Sequence, residues 1–297
     1  MNRSTADLVS GFLAWAQGAL AANTVAAYRH QLRKFVALHG AVKVRQIRSV
    51  HVTSWARTWH EVQAVVRLFN WARDEAGIVR CSPFIKLRLP RRGRRKRILL
   101  PADIVRLLRS ARGYARNYLI ALRETFARPQ EIRLACWEDL QSEDMRLSME
   151  EALPAGKAIL VFHDFKDCGR RKDSTRPRVL LVTARLGRLM VRLRRRSVPS
   201  TGPIFPNSKG EPLTKNCVRC LMRRLRVRVG LGADQHGEKI VAYTLRHSLA
   251  TFAASQGIGN QTLADLLGHV DARTTSRYLH LQVSHLREAI ARLRRRG

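Results

Sequence analysis

The chain is poor in acid. Its 297 residues carry 22 Asp and Glu against 56 Lys and Arg, a formal charge of +34. That imbalance says little about fold and much about partners. It points to a polyanion such as DNA or RNA, whose condensed counterions cationic side chains displace. Long apolar runs are missing as well. No stretch of 18 apolar residues appears, and Met1-Asn-Arg-Ser lacks the apolar core of a signal peptide. The expectation is a soluble cytoplasmic protein associated with the nucleoid, with no membrane partner. Cysteine is scarce: five residues, at 81, 136, 168, 217 and 220, an odd number with no disulfide framework. Cys217-x-x-Cys220 is a lone pair inside a helical pattern and reads as two packing thiols rather than a metal site. There is no Gly-x-x-x-x-Gly-Lys-Ser/Thr loop to cradle a nucleotide.

What is present divides the chain in two. The stretch 86–97, Lys-Leu-Arg-Leu-Pro-Arg-Arg-Gly-Arg-Arg-Lys-Arg, has no amphipathic period and is densely positive. Such a segment repels itself and extends, and is expected to be a linker that follows a DNA backbone through Arg91, Arg92, Arg94, Arg95 and Lys96. The domains are then 1–85, the linker 86–97, and 98–297. Before the linker the period is helical. Asn23 or Thr24 is expected to cap a helix with Val25, Tyr28, Leu32, Phe35 and Val36 inward, ending near Gly40. A second helix has Val62, Val65, Val66, Phe69 and Ala72 on one side and stops at Gly77. Weaker helical patterns cover Thr5–Ala16 and Thr53–Thr58. After the linker, helices are expected over Pro101–Arg112, Tyr114–Thr125 and Pro129–Cys136, with Pro129 suited to a first turn. The period then changes. Ala158–Phe162 and Arg178–Val182 are short β-rich runs. Helical patterns resume over Thr183–Arg195, over Thr214–Arg228 and from Tyr243 onward. The fold class is mainly α with a small antiparallel β-sheet, in two domains.

Chemistry concentrates in the second part. Tyr243-Thr-Leu-Arg246-His247 is followed by Leu267-Gly-His269, and Tyr278 lies nine positions after His269. An arginine neutralises phosphate charge, a histidine donates a hydrogen bond, and a tyrosine attacks phosphorus. Singly, each has an ordinary reading as a surface cation, a helix-end imidazole or a packed aromatic. Upstream, Arg128-Pro-Gln-Glu131 precedes Leu134, and Lys166 ends the first β-run, with Lys172 its rival in the following loop. Together, in this order and spacing, these residues resemble the tyrosine recombinase (phage integrase) family. Its first box reads Gly-x-Arg-x-x-Glu-Leu and its second His-x-x-Arg-His. Leu-Gly-His follows, then the nucleophilic tyrosine nine residues on. The resemblance spans about residues 98–285, and loosely 5–85 through Asn-Thr-Val-Ala-Ala-Tyr-Arg.

The resemblance implies a helical core-binding domain followed by a catalytic domain. It implies metal-free, cofactor-free covalent catalysis on double-stranded DNA. Tyr278 would be the nucleophile, Arg128 and Arg246 a clamp on the phosphate, Lys166 the general acid and His269 a phosphate ligand. Glu131 and His247 would orient their neighbours. It also implies a helix after Ser284, with Leu286, Ile290 and Leu293 in a stripe, donated between protomers of a tetramer on two duplexes. The plainer reading of that stripe is a helix packed on its own domain. Two positions depart from the pattern. Phe126 stands where the first box has glycine, and Tyr243 replaces the first histidine of the second box. A phenol of pKa about 10 is a poor base near neutral pH, though it still donates a hydrogen bond. Two other readings stay open: strand religation like that of a type IB topoisomerase, and a non-catalytic DNA-binding protein on the same scaffold.

Overall fold

The computed structural model describes residues 3–85, 87, 97–162, 177–196 and 201–269. Contacts divide the chain into two compact units, Met1–Arg94 and Arg95–Gly297. The division falls inside the basic stretch, most of which lies outside the described residues, as do Lys166, Lys172, Tyr278 and the tail after His269.

The first unit is a bundle of α1 (Thr5–Ala19), α2 (Ala22–His39), the single turn α3 (Val50–Thr53) and α4 (Trp59–Asp74). Ser4 caps α1 reciprocally with Asp7, whose backbone N–H donates to the Ser4 hydroxyl at 3.1 Å. Thr58 and Glu61 do the same for α4. The start of α2 differs from the sequence expectation. Asn23 and Thr24 lie inside its first turn, because the N–H groups of Thr24 and Val25 already return to the Ala21 carbonyl. The helix expected over Thr53–Thr58 is likewise displaced to Val50–Thr53. Thr58 is extended (φ −114°, ψ 152°), as a residue capping α4 must be. The inward faces of these helices meet in an aromatic-rich core. Phe12 lies against Trp15, Tyr28 and Trp71, and Phe69 meets Phe84 edge-on at 5.0 Å. Such pairs add about 0.5–1.5 kcal/mol each beyond their buried area.

The second unit begins with α5 (Pro101–Ser110), α6 (Gly113–Thr125) and α7 (Pro129–Leu134). A three-stranded antiparallel sheet follows, ordered β1 (Leu140–Ser142), β2 (Ala158–Phe162), β3 (Arg178–Val182), with α8 (Met149–Ala155) between β1 and β2. Then come α9 (Ala184–Arg194), α10 (Lys215–Arg228), α11 (Ala242–Ser255) and α12 (Asn260–Leu267). Two expected strands proved to be three. The first has three residues, too few to show an alternating period. The short α8 contains Pro154 and also escapes periodicity. In β3 the alternation is strict: Arg178, Leu180 and Val182 turn inward, Val179 and Leu181 outward. An inward arginine on a strand is the first sign of a buried charge with a purpose.

Candidate active site

The site is assembled at two connections and one helix end. The first connection joins α6 to α7. Phe126, the residue in place of glycine, adopts the left-handed conformation that glycine would (φ 54°, ψ 16°) and is the one described non-glycine residue to do so. A bulky side chain there costs about 1–3 kcal/mol. The turn survives because its ring packs with Ala250, Ala253, Leu263 and Leu267, and its carbonyl accepts from Arg246 Nη1 at 2.7 Å. Two residues on, Arg128 precedes the first turn of α7. The Glu131 carboxylate caps that turn by accepting the Arg128 backbone N–H at 2.7 Å, and it binds the same residue's guanidinium at 2.9 Å. Below it the fully buried Tyr118 hydroxyl donates to the Pro129 carbonyl at 3.0 Å. Burial pushes that phenol far above its usual range, so it stays protonated as a donor.

The helix end is the C-terminus of α12. Gly268 caps it in the left-handed conformation (φ 57°, ψ 48°), and His269 follows. A helix leaves its last carbonyls without intrahelical partners, and they carry the negative end of the macrodipole. Here three arginines take them. Arg178 donates to Asp265 O at 3.0 Å and to Leu266 O at 2.7 Å. Arg246 donates to Leu267 O, and Arg128 to Gly268 O at 2.9 Å. Arg246 is 1% exposed, yet it comes from α11 rather than from a solvated face. Its Nη2 also lies 3.3 Å from His269 Nε2. That nitrogen accepts only if the ring proton sits on Nδ1, which leaves Nδ1–H as the imidazole's donor.

Arg128, Glu131, Arg246 and His269 therefore come together as the sequence led one to expect. Tyr243 lies one turn before Arg246 on α11 and is 39% exposed, on the solvent side of the helix. His247, half-buried, follows Arg246, and its carbonyl accepts from the Thr251 hydroxyl. Lys166, Lys172, Tyr278, Arg91, Arg92, Arg94, Arg95 and Lys96 lie outside the described residues. Among the described residues, no group of three His, Cys, Asp or Glu side chains is placed to hold a metal ion.

Sequence reasoning missed Arg178. The residue is 6% exposed, and its Nε lies 3.8 Å from Glu131 Oε1. Burial pulls its pKa down to about 10; Glu131 opposes that shift, and Arg246 and Arg128 add to it. It remains charged at neutral pH. The available signal was its inward place in the alternation of β3. The partners it reaches, 47 positions before and 87 and 88 after, gave no signal at all.

A buried carboxylate among three guanidiniums leaves a local excess of positive charge, next to an imidazole donor. That arrangement suits an anion with several oxygens, above all a phosphate.

Known proteins agree with this picture. A sequence model of the phage integrase family matches residues 97–285. Tyrosine recombinase XerC of Lactobacillus delbrueckii subsp. bulgaricus is 33% identical over 88 residues, 30% of this chain and 28% of that protein. Tyrosine recombinase XerC of Staphylococcus epidermidis is 38% identical over 85 residues, 29% of this chain and 27% of that protein. The chain thus spans under a third of the length of these curated relatives. Two solved structures share the fold. The Tn1549 transposon integrase in complex with transposon right end DNA superposes with a TM-score of 0.72 at 16% identity, over 98% of this chain and 99% of that one. A lambda integrase dimer bound to a COC′ core site gives 0.70 at 13%, over 93% of this chain and 77% of that one. The family match covers well over half of the sequence and includes each described residue of the cluster around α12. The chain belongs to the phage integrase family.

Proposed function

We propose that this protein is a site-specific DNA recombinase of the tyrosine class, which cleaves and rejoins double-stranded DNA through a 3′-phosphotyrosyl intermediate. The observation that carries the reading is the gathering of Arg128, Arg246 and His269 around one helix end, with Glu131 fixing Arg128. Arg128 is held by the Glu131 carboxylate and Gly268 O, and Arg246 by Phe126 O and Leu267 O, so both guanidinium planes are set before DNA arrives. Pre-aimed donors cost no reorganisation when charge builds on the non-bridging oxygens. Tyr278 attacks the scissile phosphorus and gives up its proton to solvent. The P–O5′ bond breaks, and Lys166 protonates the departing oxygen. His269 holds the phosphate through Nδ1–H, Tyr243 donates a hydrogen bond in place of the family's histidine, and His247 orders its neighbours. The energy of the broken bond is kept in the phosphotyrosyl link, and a 5′-hydroxyl from a second duplex reverses the attack. Neither metal nor nucleotide enters the scheme. Arg91, Arg92, Arg94, Arg95 and Lys96 follow the DNA backbone, and residues 1–85 act as the core-binding domain. The working assembly is a homotetramer on two duplexes, inside the cell on the nucleoid. No helix among the described residues is long and apolar enough to cross a membrane.

The test uses two duplexes carrying different end labels and the DNA flanking the gene. Recombinant strands joining the two labels are expected. Covalent attachment with religation of the same strand only would favour a topoisomerase-like enzyme. Binding without any covalent attachment would leave a DNA-binding protein on an integrase scaffold.

A further inference from the structure

The buried guanidinium at the mouth of the β2–β3 hairpin has no part in the chemistry just described. Arg178 stands opposite Phe162, the last register pair before the segment that carries Lys166. From there it reaches both Asp265 O and Leu266 O, and its Nε faces Glu131. Three parts of the sequence thus meet on one side chain: the hairpin, the Arg128 box and the helix end before His269. Taking an unpaired cation out of water costs several kcal/mol, so a fold keeps one only where its geometry is well answered. Here two successive carbonyls accept from both ends of its fork, and the Glu131 carboxylate, 3.8 Å from Nε, balances its charge without a hydrogen bond. A lysine has one ammonium and does not reach both carbonyls in the same plane, whereas the arginine fork does.

Gly268 gives independent support. A Cβ on Gly268 would lie 2.5 Å from Arg178 Nε and 2.7 Å from its Cδ and Cζ. The Arg178 side chain therefore fills the space a Cβ would need at the glycine just before His269. Neither can change without moving the other.

We propose that Arg178 is a positioning residue for the phosphate site, a pin that holds the α12 terminus against Glu131 so that His269 stays beside Arg246 while Gly268 O stays on Arg128. This rests on the recombinase reading above. Arg178 itself touches no DNA in this scheme; it acts through His269 and Arg128.

The test compares the full-length wild type with Arg178→Lys, His269→Ala and the double variant. The readouts are phosphotyrosyl adduct rate on a nicked duplex, duplex Kd and thermal midpoint. A displacement of about 1 Å in a catalytic group costs on the order of 100-fold in rate. Arg178→Lys is therefore expected to slow adduct formation by about 10- to 100-fold, with duplex Kd changed less than about threefold. In the His269→Ala background it should slow the reaction by much less than in the wild type, because part of its effect passes through a group already gone. Gly268→Ala should reproduce the Arg178→Lys rate. A wild-type rate for Arg178→Lys, or fully additive losses in the double variant, overturns the proposal. The His269 ring resonance, assigned by its loss in His269→Ala, is read in the same proteins. It should move in Arg178→Lys. If the wild type forms no adduct, the recombinase reading fails and this resonance alone decides: a shift keeps the pin, and an unmoved signal removes it.

Discussion

At the scale of single residues, the division of labour between charge on the phosphate and a proton for the leaving group is the sharpest claim. Arg128 and Arg246 have their guanidinium planes fixed on Gly268 O and Leu267 O. In the proposed scheme they act on the non-bridging oxygens. Lys166 is assigned a different barrier, the protonation of the 5′-oxygen. Sulfur in place of that oxygen leaves without a proton. Lys166→Ala should therefore cut an ordinary duplex very slowly and the 5′-phosphorothiolate duplex at close to the wild-type rate. Arg128→Ala and Arg246→Ala should gain nothing from the sulfur. Selective rescue of Lys172→Ala instead would place the acid six residues further along the loop. Much of the described site was legible because these residues stand in short motifs of fixed spacing. Arg128, Glu131, Arg246 and His269 are all found where that spacing put them. Arg178 was not legible, since nothing local ties it to carbonyls 87 and 88 positions later. The left-handed Phe126 shows the converse: a sequence mismatch need not change the turn when packing holds it.

At the scale of elements, segments with a clear period or a β-rich run were read well and those without either poorly. β2 and β3 have the expected bounds, and α4, α6 and α10 lie close to theirs. β1 and α8 were missed for want of length, and α3 was misplaced because Thr58 serves the next helix. Two predictions belong here. Gly187 on α9 lies so close to α8 that a Cβ would overlap the Leu153 carbonyl oxygen. The obstacle is backbone, which cannot swing aside as a side chain can. Gly187→Ala should push α8 from α9 and lower the urea midpoint by the equivalent of about 1–3 kcal/mol or more. An unchanged midpoint would mean that the two helices do not meet as described. In α4, the backbone N–H of Arg57 holds the Glu61 carboxyl below its usual range; partial burial opposes this, and the Thr58 N–H and hydroxyl add to it. A folded-state pKa below the unfolded value means stability present above about pH 4.3 and lost as pH falls through the lower folded value. The tryptophan fluorescence of the full chain, four of whose five tryptophans (Trp15, Trp55, Trp59 and Trp71) lie in this bundle, should show this acid loss in the wild type and less of it in Glu61→Gln. Thr58→Ala should cost about 1 kcal/mol from the same cap.

For the whole molecule, the governing quantity is the charge of +34 on 297 residues. Affinity for duplex DNA should fall steeply with salt as neutralised phosphates release their counterions. Neutralising Arg91, Arg92, Arg94, Arg95 and Lys96 together should lower the slope of log K against log salt by a few units, about 0.9 for each phosphate that no longer has a cation beside it. An unchanged slope would make the stretch a solvated loop that no phosphate touches. Charge alone does not separate an enzyme from a DNA-binding protein; only the covalent step does. The most direct measurement is a denaturing gel of a nicked suicide duplex, made from the DNA flanking the gene, incubated with wild type or Tyr278→Phe in EDTA. A slow-migrating protein–DNA band is expected with the wild type, none with Tyr278→Phe, and equal duplex binding by both. A band of normal intensity from Tyr278→Phe, or no band from the wild type on a duplex it binds, would contradict the proposed covalent step.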